Sequence, residues 1–179
     1  MMPYFKLKEL NDLIDSPNKE ACKKIYLDHK EMFDTAKGSN ANHQAWEGGY
    51  IGHITDILNI AHFMYIEMDS RRELPFSLSD ALLVLFLHDL EKPWKYAGNE
   101  EQLAELNSYS DYQKFQSAKM KEYGFELTED HLNAIKYAHG EGDDFTNKRR
   151  VSSPLAAFIH CCDTMSARIW FNFPKELNW

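Results

Sequence analysis

Seven apolar residues lead directly into a histidine and an aspartate in the stretch Ala81-Leu82-Leu83-Val84-Leu85-Phe86-Leu87-His88-Asp89. A run without a polar break predicts a helix buried on every side, because no position is left for a solvent-facing stripe. Burying an imidazole beside a carboxylate is unfavourable unless a third group compensates, and a divalent metal ion would use both as ligands. For the dipeptide alone, a helix cap beside a surface carboxylate is the commoner interpretation.

Two further polar groups lie on predicted apolar helices. His53 lies beside the apolar stripe of a helix that follows the glycine pair Gly48-Gly49, and Asp163 stands within an apolar helix that opens with Ser153-Pro154. Taken singly, His53 is more often a core histidine, and Asp163 would pair with Arg168 or a backbone donor. Taken together with the dipeptide they suit one divalent cation with open water positions, and the predicted metal ligands are His53, His88, Asp89 and Asp163.

Apolar spacing along the chain predicts an all-α fold of about six or seven helices. The predicted segments are residues 3–15, 17–36, a helix after Gly49, 77–89, 99–123, 128–139 and a helix from Ser153. Ser16 and Pro17 are typical of a helix start, and Pro93 is expected to stop the buried helix. Glu91, Lys92, Trp94, Lys95 and Tyr96 would then line the mouth of a site.

Composition limits the class of protein. The 179 residues are enough for one substantial core, so a single domain over residues 1–179 is expected. A formal net charge of −8 argues against binding of extended nucleic acid by general electrostatics. The three cysteines form no disulfide framework and no apolar signal segment is evident, which predicts a cytoplasmic protein. No apolar run approaches the roughly 20 residues that a membrane span needs, so no membrane association is expected.

The combined pattern resembles the HD-domain superfamily of metal-dependent phosphohydrolases, over roughly residues 42–168. The superfamily order is a histidine, a His-Asp dipeptide and a later aspartate. The segment His43-Gln44-Ala45-Trp46-Glu47-Gly48-Gly49-Tyr50-Ile51-Gly52-His53 most resembles the HD domain of OB-fold-fused 3'-5' exoribonucleases. The similarity continues at the His88–Pro93 segment, at His139-Gly140 and at His160–Asp163. Glu91 stands where that group has glycine, and one histidine stands at 139 where related two-metal proteins often have a pair.

The resemblance implies a single compact HD-domain helical bundle that hydrolyses a phosphate ester or anhydride with metal-activated water. Lys92 would stabilise the phosphate, and Glu91 or Asp89 would orient the water or accept its proton. Four histidines are candidates for a second metal or for support of the ligands, namely His139, His131, His160 and His43. Substrate contacts are expected from Lys95, Trp94, Tyr96 and Trp46, although the aromatic residues could equally belong to the core.

The expected substrate is a small nucleotide, either a nucleoside monophosphate or a deoxynucleoside triphosphate, because the chain offers no counterpart of the OB module. In size it resembles single-domain 5'-nucleotidases and small phage triphosphohydrolases of the superfamily, so a phage origin is compatible with it. The implied cofactor is a divalent ion of Mn, Co, Zn, Ni, Fe or Mg. Hydrolysis of short oligonucleotides or cyclic nucleotides, a non-catalytic nucleotide-binding module, and a homodimer remain open alternatives.

Overall fold

The computed structural model describes residues 3–170, and this part of the chain is helical, as the apolar spacing predicts. The α-helices, numbered in chain order, are α1 Leu7–Asn11, α2 Asn18–Asp28, α3 Lys30–Thr35, α4 Gly49–Asp69, α5 Leu78–Leu87, α6 Lys92–Ala97, α7 Glu100–Asn107, α8 Tyr112–Glu122, α9 Glu129–Lys136 and α10 Pro154–Ile169. A single 3₁₀ turn, Gly142–Asp144, follows α9. Among residues 3–170, no helix has the length and apolar character needed to cross a membrane.

Helix α5 forms the centre of the core. Every residue from Ala81 to Leu90 is buried, which confirms the prediction of a helix covered on all sides. Ser77 caps its start, with the hydroxyl accepting a hydrogen bond from the Asp80 amide at 3.0 Å. Helices α4, α9 and α10 pack against α5, and α10 also packs against α4. The end of α5 therefore lies among the other helices that carry the predicted ligands.

The helices are shorter and more numerous than the predicted six or seven. The expected helix 17–36 is interrupted at His29, whose ring packs 4.5 Å from that of Trp94 and whose Nε2 lies 2.9 Å from the Tyr123 hydroxyl. The expected helix 99–123 is divided because Asp111 caps a new helix, accepting from the Lys114 amide at 2.8 Å. The first break is associated with tertiary contacts and the second with a helix cap. The spacing of apolar residues along one segment predicts neither of them.

The turn after α5 also differs from expectation. Helix α5 ends at Leu87, and the Lys92 amide donates to the Asp89 carbonyl at 3.0 Å within a tight turn. Pro93 does not stop α5. It occupies the first turn of α6, where its missing amide hydrogen costs nothing. The consequence is that the His88–Glu91 turn is held between two helices and is buried throughout.

Candidate metal centre

Four side chains, two from helices α4 and α10 and two from the turn after α5, meet at one point in the interior. His53 comes from α4, His88 and Asp89 follow the last residue of α5, and Asp163 comes from α10; all four are buried. His53 Nε2 lies 3.1 Å from Asp163 Oδ1 and 3.8 Å from Asp89 Oδ2. His88 Nε2 lies 3.0 Å from Asp89 Oδ2 and 3.8 Å from Asp163 Oδ1. The structure thus brings together the four residues that the sequence predicts as ligands.

Three atoms of this group are buried without a hydrogen-bond partner in the described part of the chain. They are Nε2 of His53, Nε2 of His88 and Oδ2 of Asp89. Asp89 Oδ2 nevertheless forms an ion pair with the Lys92 ammonium group at 2.6 Å. Unsatisfied buried polar atoms are costly, and most proteins contain few of them. These atoms converge on one volume and could hold a metal ion.

Each histidine is oriented through its other ring nitrogen. His88 Nδ1 lies 2.8 Å from the Leu85 carbonyl oxygen, which can only accept, so this nitrogen carries the proton of a neutral ring. His53 Nδ1 lies 3.0 Å from Ser166 Oγ. Both contacts turn Nε2 towards the carboxylates. Such partners commonly fix the tautomer and direction of a metal-binding imidazole.

Sequence reasoning missed two supporting residues, Ser166 and Gln44. Ser166 is fully buried on α10, and Gln44 Nε2 donates to its carbonyl and hydroxyl oxygens at 3.2 and 3.3 Å. Ser166 follows Asp163 by three residues, so both lie on one helix face. That spacing is the signal that could have identified Ser166.

The loop of residues 38–48 reaches this position because of its glycines. A Cβ atom at Gly49 would lie 1.9 Å from the Gln44 carbonyl oxygen, and Gly48 has a φ of 76°, which favours glycine. A tight turn therefore precedes α4. Its close packing holds Gln44 against Ser166 and places the His43 ring 5.5 Å from that of His53.

The two carboxylates each turn their second oxygen towards His139. His139 Nε2 lies 3.4 Å from Asp89 Oδ1 and 3.9 Å from Asp163 Oδ2, and the side chain is 62% exposed. His88, His139 and Asp163 form a second group of close potential ligands, beside the group of His53, His88 and Asp89. His139 thus lies at the open side of the cluster.

Electrostatics couple the four residues tightly. Burial alone would lower the pKa of His88, but Asp89 and Asp163 outweigh it and raise this pKa to about 10. Burial alone would raise the pKa of Asp163, but His53 and His88 hold it well below its usual range. The pKa of His53 is lowered, chiefly by burial. Without a cation, the proton on His88 therefore compensates the two carboxylates in part.

The donor set fits a divalent cation. Two ligand atoms that each lie about 2.1 Å from one metal ion are about 3 Å apart when they subtend a right angle at the ion, and about 4.2 Å apart when they lie on opposite sides of it. The four N···O distances between the histidines and the aspartates, 3.0 to 3.8 Å, fall in this range. Two carboxylates balance the charge of a divalent ion, and mixed imidazole and carboxylate ligands suit Mn, Fe, Co, Ni or Zn. These buried groups could hold such an ion.

Lys92 and Glu91 flank the cluster. Lys92 Nζ lies 2.6 Å from Asp89 Oδ2 and 3.4 Å from His43 Nε2. Glu91 is buried, and its carboxylate accepts a 2.6 Å hydrogen bond from Gln116, which sequence reasoning did not identify. Burial, and then the nearby Asp89, raise the pKa of Glu91. Lys92 and His43 face the cluster, whereas Glu91 is directed towards α8.

The residues predicted to contact the substrate differ in their exposure. Trp94 is fully buried, packs 5.3 Å from Phe115 and donates from Nε1 to Glu105 at 3.0 Å, so it has no surface to offer a substrate. Its place in the core follows from its position in the first turn of α6. Lys95 and Tyr96 are partly exposed on the same helix, and Trp46 is half-buried in the 38–48 loop.

The remaining candidate histidines differ in their distance from the cluster. His131 lies outside the cluster, because its Nε2 pairs with Asp80 at 2.8 Å and its Nδ1 accepts from the Thr128 amide at 3.1 Å. His160 is half-buried, with Nδ1 bonded to the Ala138 carbonyl at 2.9 Å. Its ring lines a cavity with His43, His139 and Asp163. His43 therefore lies beside His53 at the edge of the cluster, and His160 lines the adjacent cavity.

Comparison with known proteins gives no relative, since no family model, curated protein or solved structure matches the chain. The chemistry of the cluster is consequently the basis for a functional assignment.

Proposed function

We propose that the protein is a divalent-metal-dependent phosphohydrolase of the HD-domain type, acting on a phosphate ester or anhydride of a small nucleotide. One observation carries the proposal: Nε2 of His53 and Nε2 of His88 are buried without a hydrogen-bond partner among the described residues, and they converge with Oδ2 of Asp89, which is paired with Lys92. Two histidines and two aspartates in this sequence order are the superfamily's signature. A bound divalent cation supplies a Lewis acid that acidifies water and neutralises charge on a phosphoryl oxygen.

The chain's own residues account for binding and orientation. His53, His88, Asp89 and Asp163 would hold the cation, and His139 would offer a further nitrogen at the open side. The Lys92 ammonium group is close enough to the same volume to contact a phosphate oxygen, while its present contact with Asp89 keeps it there. Asp89 or the outer oxygen of Asp163 can accept a proton from water that enters at His139.

The direct test is phosphate or pyrophosphate release from a panel of nucleotides. Chelator-stripped protein is refilled separately with manganese, cobalt, nickel, zinc, iron and magnesium. We expect turnover with at least one metal and one nucleotide, and its loss in Asp89→Asn. Metal retention without turnover on any nucleotide would contradict the hydrolase and favour a nucleotide-binding module.

Lys92 provides a second, sharper test. Lys92→Ala is expected to lower kcat at least tenfold with smaller effect on metal content, since the four ligands stay in place. Lys121→Ala removes an exposed lysine on α8 and serves as the matched control. Equal turnover in the two variants would remove Lys92 from the mechanism.

A further inference from the structure

A further cavity, here the α1–α2 cavity, has a volume of about 460 Å³ between the first two helices. It is lined by Lys6, Leu7, Lys8, Asn11, Lys23, Tyr26 and Leu27. This volume is that of a small-ligand pocket. None of the four predicted metal ligands lines the cavity, so its chemistry can be argued without reference to the proposed function.

The surface of the α1–α2 cavity is chiefly apolar, although three of its lining residues are lysines. Leu7 is partly buried, while Leu27 is 66% exposed. The ring of Tyr26 is held in place, because its hydroxyl donates to Asp34 at 2.8 Å and the ring packs edge-on against Phe33 at 5.8 Å. A lysine that lines an apolar surface does so with its methylene stem, while its ammonium group stays in water. The cavity thus offers an apolar interior to a ligand.

Asn11 places a polar group in this apolar lining. The residue is only 3% exposed, and its Oδ1 has no hydrogen-bond partner among the described residues. A buried polar atom without a partner is costly, and native proteins contain few of them. A carboxamide oxygen accepts hydrogen bonds from N–H and O–H groups. A ligand with one such group on an apolar body would satisfy Asn11.

Positive charge surrounds the α1–α2 cavity. Lys6 and Lys8 are exposed and form no ion pair in the part of the chain that the structure describes, whereas Lys23 is paired with Asp12 at 2.6 Å. Among the described residues that line the cavity, none is a carboxylate. The whole chain has a formal net charge of −8, so this local excess of cations is an exception. Free ammonium groups beside an apolar cavity favour a ligand with an anionic group.

Three requirements therefore apply to one ligand: an apolar body, a hydrogen-bond donor and a negative charge. We infer that the α1–α2 cavity binds a small aromatic carboxylate that carries a ring N–H or O–H group. The ring packs against Tyr26 and Leu27, and its N–H or O–H group donates to Asn11 Oδ1. The carboxylate lies beside Lys6 and Lys8. An aliphatic acid would match the lysines and the apolar surface, but it would leave Asn11 without a donor.

An NMR titration of the full chain tests this inference with three probes. Indole-3-acetate has both the ring N–H and the carboxylate, naphthalene-1-acetate lacks the ring N–H, and tryptamine has an ammonium group in place of the carboxylate. For a ligand of this size we expect indole-3-acetate to bind with a Kd of about 0.1 to 1 mM. Naphthalene-1-acetate should bind about tenfold more weakly because it forms no hydrogen bond, and tryptamine at least about tenfold more weakly because of charge repulsion.

Two variants assign the contacts. Asn11→Leu replaces the amide with an apolar group of similar volume and removes an unpartnered buried oxygen, so the fold should persist. It should weaken indole-3-acetate about tenfold and leave naphthalene-1-acetate unchanged. The double variant Lys6→Gln with Lys8→Gln should weaken both acids about fivefold. Lys121→Gln, which alters an exposed lysine on α8, is the matched control and should change neither.

The contradicting outcomes are distinct. No binding of indole-3-acetate at millimolar concentration, or equal affinity for all three probes, would overturn the inference. A preference for indole-3-acetate over naphthalene-1-acetate that persists in Asn11→Leu would also overturn it, because the ring donor would then have another acceptor. None of these readouts involves metal content or nucleotide turnover, so this inference and the proposed function can each fail while the other stands.

Discussion

His131 and His88 are both buried against an aspartate, and they differ in how their polar atoms are satisfied. His131 and Asp80 form a closed pair, with both nitrogens of His131 bonded and Asp80 also accepting from the Ser77 amide at 2.9 Å. His88 and Asp89 form an open pair, in which His88 Nε2 has no hydrogen-bond partner among the described residues and Asp89 Oδ2 is paired with Lys92 at 2.6 Å. The closed pair joins the starts of α5 and α9, whereas the open pair belongs to a group that could hold a cation.

The comparison teaches that residue type and burial do not by themselves distinguish a structural histidine from a ligand. Both histidine residues are at least 95% buried, and both rings lie within 3.0 Å of a carboxylate oxygen. The two histidines differ in what contacts the second ring nitrogen and in whether further potential metal ligands lie nearby. His131 has a backbone amide on its second nitrogen, while His88 shares its open side with His53 and Asp163.

Deleting each imidazole in turn should produce the largest difference. Loss of an outer-shell partner already costs about 10–100-fold in metal affinity, so His88→Ala is expected to lower manganese affinity by more than about 100-fold. His131→Ala removes an equally buried ring and should leave that affinity unchanged. Its cost should appear as about 1–3 kcal/mol in the free energy of unfolding. Titration calorimetry and urea unfolding measure the two effects, and equal loss of manganese binding in both variants would contradict the distinction.

The open pair should also make cation binding depend on pH. The pKa of His88 is raised from 6.5 to about 10 without a cation, so a metal must displace a proton across this range. Manganese affinity should therefore rise by up to about tenfold per pH unit between pH 6.5 and 8.5. Calorimetry in buffers of different ionisation enthalpy should detect close to one proton released.

The raised pKa of His88 also determines how the stability of the cation-free protein changes with pH. A raised pKa means that the folded state holds the His88 proton more tightly, which stabilises it below pH 6.5 and is lost as the pH rises through about 10. Cation-free protein should accordingly become easier to unfold from pH 6.5 to 9. His88→Ala should remove this alkaline loss, and a wild-type stability that is flat over the range would refute the assignment.

Substitution of Ser166 should weaken metal binding less than substitution of a ligand, because Ser166 contacts the ring nitrogen of His53 that faces away from the cluster. Ser166→Ala removes the partner 3.0 Å from His53 Nδ1 and is expected to weaken manganese binding about tenfold. Ser117→Ala, on the exposed face of α8, is a matched control. Rescue of affinity by Ser166→Thr, which restores a hydroxyl, would separate orientation of His53 from simple loss of packing.

The central helix and the residues at its end could be predicted from the sequence. An uninterrupted apolar run can only be satisfied by burial, so α5 and the position of His88 and Asp89 followed from it. His53 and Asp163 could be grouped with them because polar groups on apolar helices need a common partner. The four residues do meet, although whether they hold a metal stays a prediction.

The sequence was insufficient wherever a contact between distant segments decides the outcome. Trp94 follows the cluster closely in sequence, yet α6 turns it into the core against Phe115. His131 could be separated from His139 only by its pair with Asp80, which lies 51 positions away. At the break between α2 and α3, His29 likewise contacts Tyr123, which directly follows α8. Helical periodicity contains none of this information, because it describes one segment at a time.

The closed pair should respond least, and its response should be confined to stability. Asp80→Asn replaces the charged acceptor of His131 with a neutral amide and is expected to cost about 1 kcal/mol at neutral pH, since Asp80 is partly exposed. Burial would raise the pKa of Asp80, but its contacts with Ser77 and His131 lower it, so its contribution is present above about pH 4 and is lost as the pH falls. The difference between wild type and Asp80→Asn should therefore shrink in acid, while manganese affinity stays the same in both. A change in manganese affinity would mean that the start of α5 and its metal-facing end are coupled, and the contrast between closed and open pairs would then fail.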